Sequence, residues 1–108
     1  MFKREKDILR KIVKELSKDS RVIKVVAFGS RVRGDFRGDS DLDIMVIVNK
    51  KTKDIRDKVL DLFYSYELET DISFSVAILS VEELKINEKL GSPFIKSVEE
   101  EGMVLYGT

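Results

Sequence analysis

The sequence predicts an α/β (α+β) fold, a small mixed β-sheet flanked by helices. Two patterns carry that expectation: segments with helical spacing alternate with β-branched segments of period two, and cap and turn residues punctuate the joins. No repeat, linker or low-complexity tract divides the 108 residues, so a single domain spanning 1–108 is expected.

Ile8, Leu9, Ile12, Val13 and Leu16 fall at helical spacing within residues 3–18, with lysines and arginines opposite them, which predicts an amphipathic helix. Glu5, Asp7, Glu15 and Asp19 interrupt the basic face, so it reads as an ordinary solvated surface. Val22–Phe28 is a β-branched run stopping at Gly29-Ser30, a first strand. The polar stretch 30–40 predicts a short helical turn and a loop, in which Asp35 and Asp39 are plain turn residues. Leu42–Val48 is the most strand-like segment and should be central. Thr52 caps a helix through Ile55, Val59, Leu62, Phe63 and Tyr66 that ends near Leu68. From Asp71 to Leu79 apolar and polar residues alternate, a third strand opened by Asp71. Ser80 and Glu83 form a capping box for a short helix, Ser92-Pro93 starts another that stops at Gly102, and Met103–Tyr106 is an edge strand. The order of strands in the sheet is not set by these patterns.

Composition narrows the chemistry. Twenty basic and twenty acidic side chains cancel to a formal net charge of +0, which disfavours a long nucleic acid as partner. Cysteine and histidine are both 0, so disulfides, thiol nucleophiles and histidine-based triads are excluded and any chemistry runs on carboxylates, hydroxyls, lysines or arginines. No apolar run reaches the roughly 18–20 residues of a membrane span, and a cytoplasmic location is expected.

One constellation stands out. Gly29-Ser30 ends the first strand and Asp41-Leu42-Asp43 opens the second. A strand entering a helix through Gly-Ser presents free backbone amides, glycine lets a phosphate approach closely, and serine adds a hydroxyl donor. Strand periodicity aims Asp41 and Asp43 at one face, where two anions repel unless a cation lies between them. Hard oxygen donors of this kind suit magnesium completed by water and substrate phosphates. Asp71, at the start of the third strand, could join them, and two metals held by three aspartates suit in-line nucleotidyl transfer. Four fixed residues at this spacing arise by chance in about one chain of this length in a thousand. Arg31 and Arg33 are either phosphate contacts or surface arginines.

Gly29-Ser30, ten intervening residues and Asp41-Leu42-Asp43, with Arg31, Arg33 and Gly34 between, resemble the minimal nucleotidyltransferases of the DNA polymerase β superfamily. The ending, Gly91-Ser92-Pro93-Phe94 through Val104-Leu105-Tyr106, is similar too. The resemblance implies a palm-like nucleotidyltransferase fold in which Gly29 and Ser30, with Arg31 and Arg33, hold the triphosphate of ATP. It implies that Asp41 and Asp43 ligate two magnesium ions and that Asp71 is the third carboxylate and general base, with Glu69 as its competitor. Members of this family are commonly paired with a helical HEPN-domain toxin and act as its antitoxin. The resemblance therefore implies magnesium-dependent transfer of AMP from ATP to a hydroxyl, expected to be a tyrosine's, of a HEPN partner in a type VII-like toxin–antitoxin pair. The alternatives are a non-catalytic nucleotide-binding partner that neutralises a toxin by contact, and a small-molecule nucleotidyltransferase with its acceptor pocket at a homodimer interface.

Overall fold

The computed structural model describes residues 1–34 and 41–107. Asp35, Asp39 and the loop expected between them lie outside the described residues. The elements run α1 (Lys3–Ser17), β1 (Val22–Phe28), α2 (Ser30–Arg33), β2 (Leu42–Val48), α3 (Lys53–Thr70), β3 (Phe74–Ser80), α4 (Val81–Lys89), α5 (Pro93–Glu101) and β4 (Met103–Tyr106). The strands form one mixed sheet in the order β3-β2-β1-β4. The β1/β2 and β1/β4 pairs are antiparallel, and β2/β3 is parallel with α3 as the crossover.

Helices cover both faces. Ile8, Leu9, Ile12 and Leu16 of α1 and Ile55, Val59 and Phe63 of α3 pack on Val25, Ala27, Leu42, Ile44, Val46 and Val48. Val26, Met45 and Ile47 point the other way, onto Ile95 and Val98 of α5 and the partly buried Leu84 of α4. This double burial explains why β2 reads as a nearly continuous apolar run, the mark of an interior strand.

The caps follow the sequence. Thr52 Oγ1 accepts from the Ile55 amide at 3.4 Å. Ser80 and Glu83 exchange reciprocal bonds at 3.0 Å each, and Ser92 Oγ accepts from Ile95 with Pro93 in the first turn. The residue that ends α5 has to be glycine, since a Cβ on Gly102 would lie 2.3 Å from the Val98 carbonyl oxygen and 2.7 Å from Val26 Cγ1.

Two expectations change. Helix α3 runs to Thr70 rather than Leu68, and β3 begins at Phe74, so Asp71 caps α3 instead of opening the strand. Glu5 is buried, at 4% exposure, and is not part of a solvated face.

Candidate active site

The site grows from the turn after β1. Phe28, its last residue, is the cross-strand partner of Asp43. Gly29 follows at φ 83, and α2 closes at Gly34, also at φ 83. A Cβ on Gly29 would lie 2.2 Å from Asp43 Oδ2, so glycine is required both by the left-handed backbone and by the carboxylate lying against it. Ser30 opens α2 directly beyond it, and the first amides of a helix lack intrahelical acceptors. The structure thus brings the Gly29-Ser30 turn against the start of β2.

Asp41 is exposed and Asp43 half-buried. Burial is the main cause that pushes the Asp43 carboxyl above the usual carboxylate range, the neighbouring Asp41 charge adds to it, and Arg33 opposes it. A carboxylate whose ionisation a neighbouring carboxylate makes costlier attracts a cation. Their hard oxygen donors beside the Gly29-Ser30 turn fit magnesium.

The third carboxylate is placed differently from the strand-start expectation. Asp71 ends α3 in the left-handed region, φ 60, its amide donating to the Glu67 carbonyl at 3.2 Å. Aspartate tolerates that conformation better than most side chains, so it could serve as the helix cap. The register sets Ser75 beside Asp43 on β3, and Leu42 donates its amide to the Ser73 carbonyl at 2.9 Å. A hydroxyl, that of Ser75, therefore occupies the β3 position beside Asp43. Glu69 is exposed on the last turn of α3, and the Glu67 carboxylate accepts from the Phe74 amide at 2.8 Å. Among the described residues no group of three or more acidic side chains gathers closely enough to hold a metal ion.

The arginines divide. Arg31 pairs with Glu5 of α1, both side chains being nearly buried at 13% and 5% exposure. The same carboxylate accepts from the Phe2 amide at 2.8 Å, and the N-terminal ammonium donates to the Arg31 carbonyl at 3.0 Å. This pair ties the turn to α1. Arg33 reaches Glu101 at 3.2 Å, and its field also acts on Asp43, so it is the arginine beside the carboxylates. Glu5 as the anchor of the turn had no local signal, because its partner lies 26 residues away.

The nucleotidyltransferase domain family matches residues 7–106. The chain belongs to that family. As a nucleotidyltransferase it is a transferase of the EC 2.7.7 kind. Two relatives from Methanocaldococcus jannaschii are named as protein adenylyltransferases: one is 37% identical over 86 residues, covering 80% of each chain, the other 30% identical over 99 residues, covering 85% of this chain and 93% of the relative. The fold is shared with a toxin–antitoxin complex solved with AMP-PNP, at TM-score 0.63 and 19% identity over 92% of this chain and 73% of that one. It is also shared with the Shewanella oneidensis complex of a tri-AMPylated HEPN toxin and its MNT antitoxin, at TM-score 0.55 and 15% identity over 94% and 69%. Among the described residues no helix is long and apolar enough to cross a membrane.

Proposed function

We propose that this nucleotidyltransferase moves AMP from ATP to a hydroxyl of a HEPN-domain partner, a tyrosine being the expected acceptor, and so acts as an antitoxin. The observation that carries the chemistry is the contact of Asp43 with Gly29, which sets a carboxylate pair against a turn of phosphate-binding type. The acceptor class comes from the relatives named as protein adenylyltransferases and from the shared fold with the AMPylated toxin complex.

In this reading Gly29 and Ser30 hold the triphosphate through backbone amides and the hydroxyl, and Arg33 adds positive charge beside it. Asp41 and Asp43 hold magnesium, which when bound supplies charge neutralisation for the triphosphate. The acceptor oxygen forms a bond to the α-phosphorus, the bond from that phosphorus to the β-bridging oxygen breaks, and pyrophosphate leaves. The resemblance to this family assigns the acceptor proton to Asp71, which caps α3 ahead of β3 and is not gathered with Asp41 and Asp43. Arg31 serves by fixing the turn through Glu5 rather than by touching phosphate.

The test is ATP labelled at the α-phosphate, added with magnesium to a lysate of the source organism, beside a γ-labelled control. Label from the α position alone should appear on a macromolecule and be lost in the Asp41→Asn/Asp43→Asn variant, while Asp71→Asn should slow transfer by about 100-fold, the scale of losing a general base. Full protection from the toxin by the double variant would favour neutralisation by contact instead.

A further inference from the structure

The groups in the site so far recognise phosphate and cation, and none of them reads a base. On the same face of the sheet, beside Asp43, stands an aromatic pair. Phe28 is the cross-strand partner of Asp43 and is partly buried against the α5 side of the core. Phe94, the second residue of α5, meets it edge to face with ring centroids 5.4 Å apart and planes at 81°. The first turn of α5 is fixed by Pro93 and by the Ser92 cap, while Ile95 and Val98 bury that helix and leave Phe94 44% exposed. A large apolar ring is thus set on an anchored helix, left partly in water, and placed one side chain beyond Asp43. Asp43, Phe28 and Phe94 therefore follow one another across this face, carboxylate, spacer ring and exposed ring in that order.

We propose that Phe94, braced by Phe28, is the stacking platform for the nucleotide base. This rests on the nucleotidyl-transfer reading above. The base is tethered to the phosphate held at Gly29-Ser30, whereas the acceptor hydroxyl must enter opposite the departing pyrophosphate. An exposed flat ring that follows Phe28 away from Asp43 therefore suits the base. Every base has a π face, so such a platform gives affinity with little discrimination between bases.

Calorimetric titration in the presence of magnesium compares ATP, GTP and inorganic tripolyphosphate on the wild type, Phe94→Ala, Phe94→Leu and Phe94→Trp, with thermal melts as the control for folding. The alanine and leucine variants should weaken ATP and GTP alike by about 5- to 100-fold, the size of one base–aromatic stack. Tripolyphosphate affinity should stay within about two-fold, and tryptophan should restore nucleotide affinity. Leucine keeps the apolar volume and removes the π face, so it separates stacking from packing. Unchanged ATP affinity, or an equal loss for tripolyphosphate, overturns the platform. That includes the case in which Phe94 variants bind ATP normally but need more acceptor, which would give the ring to the partner. ATP binding that is absent, or indifferent to Asp41→Asn/Asp43→Asn, overturns the nucleotidyl-transfer reading as well. Binding that needs the aspartates but ignores Phe94 overturns the platform alone.

Discussion

At the scale of single residues the site depends on Gly29. A side chain there meets two penalties together, the left-handed φ of 83 and the Asp43 carboxylate 2.2 Å from the new Cβ. Gly29→Ala should therefore cost about 1–3 kcal/mol of stability from backbone strain and push Asp43 from its place, with transfer falling far more than the melting temperature. Activity and thermal melts on the one variant check this, and a variant that keeps full transfer would show that Asp43 need not rest there. The meeting of the Gly29 turn with Asp43 was legible in the sequence because its message is local: a strand end, a fixed spacing and a strand start. The placement of Asp71 was not, because it turns on where α3 stops, and the alternation from Asp71 onward looks like strand while its φ of 60 makes it a helix cap.

Among the elements, α1 and α2 are joined by Arg31 and Glu5. Glu5→Gln removes the buried carboxylate charge from its pair with Arg31, which should cost about 3 kcal/mol, read as a shift of the urea midpoint. It should also reduce nucleotide affinity, because the phosphate turn loses its tether, although Glu5 touches no substrate. A loss of stability with unaltered nucleotide binding would refute the tether. No periodicity could have revealed this pair, since Glu5 sits among lysines on a helix whose basic face reads as solvated. The same limit does not apply to α5, whose proline, serine cap and stopping glycine each left a local mark. There Gly102→Ala should cost about 1–3 kcal/mol as an overpacked contact with Val98 and Val26, measurable by thermal melting.

For the whole molecule, the alternation of helices and strands foretold the class of fold, but the order β3-β2-β1-β4 was illegible because pairing between distant segments leaves no periodic trace in either one. Stability against acid is also distributed. Hydrogen bonds from Arg21, then from Lys58, hold the Asp19 carboxyl far below the usual range, and the Ser80 amide does the same, less strongly, for Glu83. Groups whose folded pKa is depressed stabilise fully above their unfolded values, about 4, and lose that contribution as pH falls through the folded values. Unfolding free energy should therefore decline below about pH 4, and Asp19→Asn should flatten that decline while lowering stability at neutral pH. Chemical denaturation from pH 7 to pH 2 checks it, and an unchanged slope would dismiss Asp19 as a source. The central claim concerns bond breaking at the α-phosphorus, so the most direct measurement is the leaving group. With purified protein, magnesium, ATP and a HEPN partner, the account predicts one pyrophosphate released for each AMP found on the partner, and none from Asp41→Asn/Asp43→Asn. Release of orthophosphate in place of pyrophosphate would contradict it.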